Sequence, residues 1–328
     1  MSMRWRRLVA LGLLSVLIAP GTWLRSAPVT DPGSTLRFVP LAAETPDGWP
    51  QGLTLRAAWH LDSTSPNFGG FSALLREPDG SFRGFTDFGM TADIPHPSVG
   101  VAEVAVEFLP PDPRITAIPD VESAVYHRAS DTLWLGYENH NAIRRIDADG
   151  TSSVTKPAQM RHWGKNSGAE AMARLGDGRF LLLGERNREG LLFAADPLRE
   201  EPALAFRVSA PEDYSPTDMA LLPDGRVLVL LRALRWRLPP FASMLALGDP
   251  ATIRAGETWV LEPFAALDAP GLHENYEGLA VAPEPDGSLA IWLISDDNRS
   301  ALQRTLLLEL HWQGADMETA RQGNPRAP

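Results

Sequence analysis

Apolar and polar residues alternate in short blocks along most of the chain, and the blocks come in pairs hinged on a turn. Near the C-terminus, Glu274-Asn275-Tyr276-Glu277-Gly278-Leu279-Ala280-Val281 is followed by Asp286-Gly287 and the run Ser288–Asp297. The order is an acidic anchor, a short apolar strand, a residue pair that tolerates positive φ, and a second apolar strand ending in carboxylates, which is the pattern of a β-hairpin. The same order runs from Glu170 through Asp177-Gly178 to Glu185, and from Asp218 through Asp224-Gly225 to Arg232. It runs again from Glu122 through Ser130-Asp131 to Glu138, and from Ser72 through Asp79-Gly80 to Asp87.

The anchors Ser72, Glu122, Glu170, Asp218 and Glu277 are spaced by 50, 48, 48 and 59 residues. A period near this value with several short strands per unit predicts an all-β fold, a β-propeller in which each repeat is one four-stranded blade. Helical solenoids would need 3.6-residue patterning, which is missing. The longer final gap places extra residues between Arg232 and Gly256, around Arg235-Trp236-Arg237-Leu238-Pro239-Pro240-Phe241. The strands Leu53–Leu61 and Thr305–Trp312 each lack a hairpin partner, and pairing them would close the ring and hide two sheet edges. Five anchors plus one blade shared between the chain ends predict six blades, with five as the other count. The first strand of each blade lines the central channel, and its hairpin partner returns to the same face. The anchors and the residues Asp87, Glu138, Glu185, Arg232, Asp296, Asp297 and Asn298 are therefore expected at one mouth.

The 328 residues carry 30 basic and 41 acidic side chains, a net charge of −11, which argues against a nucleic-acid partner and suits a cation. Cysteine is absent, so no disulfide, thiolate metal site or cysteine nucleophile exists. Residues 1–27 have a basic start, with Arg4, Arg6 and Arg7, and then an apolar run from Leu8 to Ala19, the layout of an export signal or an inner-membrane anchor. A periplasmic protein, monomeric and with a membrane tether if the segment is retained, is the expectation. Residues 28–50 read as a linker with one early strand near Leu36–Leu41, residues 51–312 as the propeller, and residues 313–328 as a polar tail.

Carboxylates gathered at one mouth repel one another unless protons or a cation neutralise them. Oxygen-rich acidic sites suit Ca²⁺ first among the hard cations. The architectural alternative pairs each carboxylate with backbone amides of the next blade, or with Arg186, Arg232 or Arg304. Phe68-Gly69-Gly70-Phe71-Ser72 breaks the acidic pattern, and its glycines would admit close approach of a ligand. Ser72 as a nucleophile would need a base from among His60, His140, His162 and His273, and no G-x-S-x-G elbow surrounds it. His140, beside Glu138 in a loop at the same mouth, is a candidate acid-base residue. Arg186, Arg188 and Arg232 are candidates for bidentate anion binding. Trp163 and Trp236 sit in loops, where stacking on a ligand competes with packing.

Phe68-Gly69-Gly70-Phe71-Ser72, Glu170-Ala171-Met172-Ala173, Pro216-Thr217-Asp218, Asn275-Tyr276-Glu277-Gly278-Leu279-Ala280, Ser295-Asp296-Asp297-Asn298 and Gln303-Arg304-Thr305-Leu306-Leu307-Leu308 together resemble the phytase-like, "esterase-like activity of phytase" family of exported bacterial proteins. The resemblance covers about residues 50–312 and implies a propeller that hydrolyses esters or phosphoesters. It departs from the family pattern at Ala73, where glycine is expected, and at Arg299, where an aromatic residue is expected. The residues expected to act are Glu170, Glu277 and His140 in catalysis, Arg186, Arg232, Arg304 and Asn298 on the substrate, and Glu122, Asp218, Asp296 and Asp297 on Ca²⁺. Two other readings are a non-catalytic envelope propeller binding a sugar, lipid or protein, and a lactonase-like propeller with one calcium held by carboxylates and an asparagine.

Overall fold

The computed structural model describes residues 31–314 apart from 43, 116–118, 165–167, 186–187, 200–201, 212, 237–239, 268, 270 and 301, together with residues 7, 9 and 12. The expected export segment and the polar tail lie almost wholly outside the described residues. Among those described, no helix is long and apolar enough to cross a membrane.

The hairpins form because the turns are locally encoded. In four of them the Asp carboxylate accepts the N–H two residues on, from Ser81, Arg179, Arg226 and Ser288 at 2.9, 3.1, 2.9 and 2.9 Å. Between donor and acceptor, Gly80, Gly178, Gly225 and Gly287 take φ of 91°, 90°, 92° and 91°, a region that costs glycine nothing.

From these hairpins grows a β-propeller. Blade one is β3 (Phe71–Arg76), β4 (Phe82–Thr86), β5 (Met90–Ile94) and β6 (Val101–Phe108). Blade two is β7 (Val121–His127), β8 (Thr132–Tyr137), β9 (Ala142–Ile146) and β10 (Ser152–Thr155). Blade three is β11 (Ala169–Arg174), β12 (Phe180–Gly184), β13 (Glu189–Phe193) and β14 (Leu204–Ser209). Blade four is β15 (Ser215–Leu221), β16 (Val227–Leu234), β17 (Phe241–Gly248) and β19 (Glu262–Ala266). Blade five is β20 (Asn275–Pro283), β21 (Leu289–Asp296), β22 (Leu306–Trp312) and, from the N-terminal side, β2 (Leu53–Ser63).

The inner strands touch in the order β3, β7, β11, β15, β20 and back to β3. The blade count is five, because β2 pairs with β22 in the sheet that already contains Glu277 and so completes that blade instead of making a sixth. The early strand, β1 (Asp31–Pro40), pairs with β2 on one side and β6 on the other, joining the outer edges of blades five and one. Part of the long final unit is spent on β18 (Thr258–Val260), which runs parallel to β14 and covers the outer edge of blade three.

Between blades the faces are apolar. Trp292 on β21 is 1% exposed, stacks on Trp59 with ring centroids 6.0 Å apart, and meets Phe82 of blade one edge-on at 4.8 Å. Truncating such a side chain costs about 3–5 kcal/mol, so these contacts fix the blades that carry the polar mouth. Trp163 is buried and donates to Glu189 at 2.7 Å, whereas Trp236 is exposed.

Candidate functional site

Each inner strand carries a β-bulge one or two residues after its start, and the bulged residues are Ser72, Glu122, Glu170, Thr217 and Glu277. A bulge adds a residue and re-aims its side chain. It delivers carboxylates in blades two, three and five, and hydroxyls in blades one and four. The hydroxyls stitch blades together: Ser72 donates to Val121 O and Phe85 O, and Thr217 to Tyr276 O at 3.3 Å. Ser72 is 1% exposed, which removes it as a nucleophile.

Thr217, not Asp218, therefore holds the fourth anchor position. Asp218 is buried, and its oxygens accept the N–H groups of Met219 at 2.8 Å and Leu279 at 2.7 Å. Burial still pushes its carboxyl well above the ordinary range despite those two bonds. This is the architectural role, a clasp from blade four to blade five.

A second tier comes from the ends of the second strands: Asp87, Glu138, Glu185, Arg232 and Asp296. Two residues that the sequence pattern does not single out, Asp120 and Asn275, enter from two positions ahead of Glu122 and Glu277. Their shared offset from the anchor is the signal that would have found them.

Arg232 organises half of this mouth. Its guanidinium donates to Glu185 at 2.7 Å, to Glu277, and to Asn275 Oδ1 at 3.1 Å. Asn275 passes the connection on, donating to Glu277 at 2.8 Å and to Asp296 at 3.2 Å. Burial alone would pull the arginine down, but Glu277, Glu185 and Glu170 hold it firmly charged. Burial raises Glu277 in spite of Arg232, and raises Asp296 well above the carboxylate range with help from Glu277 and Asp87. Asn275 is thus already committed to a protein cation.

In the other half, Arg232 acts only through its bond to Glu185 and its field at Glu170. Among the described residues, no basic side chain pairs with Glu122, Glu138 or Glu170. Burial, then the charge of Asp120, moves Glu138 up to about 7. Burial and neighbouring carboxylates drive Glu122 and Glu170 well above their usual values. Glu170 is 5% exposed, and its Oε1 has no hydrogen-bond partner. Oxygens of Asp120, Glu122 and Glu138 lie within 4.8 Å of one another, as do those of Glu138, Glu170 and Glu185. Oxygen donors gathered this closely around an unsatisfied buried carboxylate fit a hard cation.

The remaining expected residues fall around this centre. His140 is half-buried in the loop after β8, and burial and Lys156 lower its pKa, so the ring is neutral at pH 7. Asp297 accepts from Gly70 N at 3.1 Å, Arg299 N at 2.9 Å and Thr305 at 3.2 Å, and so serves the loop. Asn298, in a left-handed conformation, donates its N–H to Asp296 at 2.6 Å, while its buried Nδ2 has no partner. Arg304 turns to Glu274 at 2.8 Å and Gly271 O at 2.7 Å, and so serves as an internal counter-ion. Arg299 lies over the ring of Phe88 at 4.5 Å and donates to Asn67 at 3.1 Å. Arg186 lies outside the described residues.

What approaches the glycine pair is protein, not ligand space. A Cβ on Gly69, at φ 127°, would lie 2.5 Å from Asp297 Oδ2, and one on Gly70 would lie 2.8 Å from Asp87 Oδ1. The two most distinctive motifs thus interlock across the seam between blades one and five.

A family model described as phytase-like, with esterase-like activity of phytase, matches residues 66–299. The chain belongs to this family. The match spans the interlocked motifs, all five inner strands and both tiers of the mouth. No curated protein matches this phytase-like chain. Among solved structures it is similar to virginiamycin B lyase from Staphylococcus aureus, with 12% identity, 84% of this chain and 99% of that one covered, and a TM-score of 0.44. It is also similar to an endo-arabinase from Bacteroides thetaiotaomicron, with 12% identity, coverage of 76% and 96%, and a TM-score of 0.48. A PQQ-bound aldose sugar dehydrogenase from Streptomyces coelicolor has 12% identity, coverage of 80% and 100%, and a TM-score of 0.47. None of these likenesses bears on the site.

A cavity of about 600 Å³ opens at the opposite end of the channel, beyond Leu74, Ala124, Met172, Met219 and Leu279. It lies away from the carboxylates of the mouth, and Arg76, Glu77, Arg128 and Arg174 are among its lining residues.

Proposed function

We propose that the protein is an exported phytase-like hydrolase that cleaves phosphoesters or carboxylic esters at the acidic mouth with the help of a divalent cation, calcium first. The observation that carries this reading is the buried Oε1 of Glu170, without a hydrogen-bond partner, on a carboxylate grouped with Glu138 and with the Arg232-bound Glu185. Asp120, Glu122, Glu138, Glu170 and Glu185 would hold the cation. When bound, it supplies the positive charge against which an ester oxygen is polarised and a water made more acidic.

The chain's own residues do the rest. Arg232 keeps Glu185 and Glu277 fixed and compensated, so the wall of the mouth is set before a ligand arrives. Asn275 and Asn298 fix the two oxygens of Asp296 through its side-chain and backbone bonds. His140, neutral at pH 7, would take a proton from an attacking water. Arg232 and Arg304 are both held in internal pairs, so neither is free to clamp an anionic substrate, and the cation would take that part.

Hydrolysis of 4-nitrophenyl phosphate and 4-nitrophenyl butyrate, with calcium and with a chelator, tests the reading. Calcium-dependent release from either substrate is expected. Absence of hydrolysis with calcium, magnesium and manganese would overturn the enzyme and leave a binding propeller. Export rests on the layout of residues 1–27, and a fusion of that segment to a phosphatase reporter that is active only outside the cytoplasm tests it separately.

A further inference from the structure

We propose that the cavity at the far end of the channel is a binding site, separate from the acidic mouth, for an amphipathic anion: a carboxylate or phosphate head on an apolar body. The site uses none of the mouth residues, so it stands or falls apart from the hydrolase reading.

Repetition builds the floor of this cavity. Two residues on from the bulged residue of each inner strand stand Leu74, Ala124, Met172, Met219 and Leu279, none more than 8% exposed and all lining the cavity of about 600 Å³. Strand alternation returns the same sheet face two residues later, and there the five blades stop being alike. Blades one to three bring Arg76, Tyr126 and Arg174, whereas blades four and five bring Leu221 and Val281. Arg128, in the single turn of 3₁₀ helix after β7, joins the first group, and Ala282 and Pro283 join the second. The cavity therefore has a basic wall and an apolar wall. Its volume falls within the range of small-molecule sites, about 300–1,000 Å³.

Charge then selects the ligand. The described lining residues hold three arginines and one carboxylate, Glu77, in a chain whose net charge is −11. Glu77 lies 3.9 Å from Arg128, which also donates to Arg76 O. Tyr126 donates its hydroxyl to Asp131 at 2.6 Å, which occupies that carboxylate. Arg76 donates to Ser81 O at 3.2 Å and holds its guanidinium 4.5 Å from the centre of the Phe82 ring. Arg174, half-buried, makes no hydrogen bond or ion pair with any described residue. Arg145, Arg226, Arg232 and Arg304 each bond a carboxylate, so Arg174 departs from the rule the chain follows elsewhere. A guanidinium with its fork of donors open matches a carboxylate or phosphate by two bonds at once. A bare inorganic anion would leave Leu221 and Val281 wet, and an uncharged apolar molecule would leave Arg174 unpaired. An amphipathic anion satisfies both walls.

Isothermal titration of decanoate and of decyl phosphate into the full-length protein tests the site, with decanol and inorganic phosphate as the separate halves of the ligand and melting curves confirming that each variant is folded. Each amphiphile is expected to bind once per chain, and decanol and inorganic phosphate at least tenfold more weakly. Arg174→Gln is expected to weaken decanoate at least tenfold. Val281→Asp, which sets a carboxylate in the apolar wall, is expected to weaken it at least as much. The exposed Arg161→Gln is expected to bind like the wild type. No saturable binding of either amphiphile below about 1 mM overturns the site. Decanol binding as tightly as decanoate, or Arg174→Gln binding decanoate like the wild type, overturns it equally. If Val281→Asp does not fold, Arg174→Gln still decides. None of these outcomes bears on hydrolysis at the mouth.

Discussion

The amide of Gly70 donates to Asp297 Oδ1 at 3.1 Å, tying the entry to the first blade to the turn that follows the second strand of the last. Beside it, Gly69 holds φ at 127° with no room for a Cβ against the same carboxylate. Gly69→Ala combines backbone strain with that clash, and a loss of about 2–4 kcal/mol is expected. Adding Asp297→Ala removes the clash but not the strain, so the double variant should lose less than the sum of the singles. Denaturant midpoints of the four proteins measure the coupling. Strict additivity would contradict the contact.

Removing Arg232 leaves Glu185 and Glu277 without their cation in an enclosed mouth. Arg232→Met is expected to cost about 3–5 kcal/mol at pH 7, the range for breaking one side of a buried pair. A change below about 1 kcal/mol would mean that the pair is already water-compensated. Urea unfolding at neutral pH makes the comparison.

Ser72 spends its hydroxyl on Val121 O and Phe85 O, both within the blade framework. Ser72→Ala should lower stability by about 1–3 kcal/mol while leaving the rate of ester hydrolysis per folded molecule unchanged. A collapse of kcat with stability intact would restore the serine as a nucleophile.

Glu284 supplies the pH dependence. The bond from Arg56, followed by those from Ser288 and His311, holds its carboxyl down at about 2 against an ordinary 4.5. A folded-state value below the unfolded one stabilises the fold above the unfolded value, and the contribution is lost as pH falls toward the folded one. Glu284→Gln is therefore expected to cost about 1 kcal/mol near pH 7, with the gap to wild type closing between about pH 4.5 and 2. Urea midpoints across that interval check it, and a gap constant with pH would refute the assignment.

Much of the fold was legible because its signals are local. An Asp-Gly pair between two alternating apolar runs encodes a hairpin with no help from the rest of the chain, and the four Asp-Gly hairpins at Gly80, Gly178, Gly225 and Gly287 are present. The convergence of Glu122, Glu170, Glu277, Glu138 and Glu185 on one mouth followed from repetition alone. What escaped depended on single-residue register and distant partners. A bulge shifts the facing residue by one, which exchanged Thr217 for Asp218. The blade count turned on which sheet β2 would join, a pairing across some 250 residues that no local pattern specifies. Arg232 and Arg304 read as free anion binders because their carboxylate partners are remote in sequence, with Glu277 and Glu274 lying 45 and 30 positions away.

The sheet shared by β2 and β22 also sets a timetable. During synthesis the first blade's outer neighbour, β1, and its partner β2 exist early, but the strands they must complete, β20 to β22, appear only as residues 275–312 emerge. Until then four blades surround an open gap, with the apolar face around Trp292 and Phe82 unformed. Closing so long a loop is slow, and a chain cut short anywhere before Leu306 would lose not one strand but the seam that makes the other blades a ring.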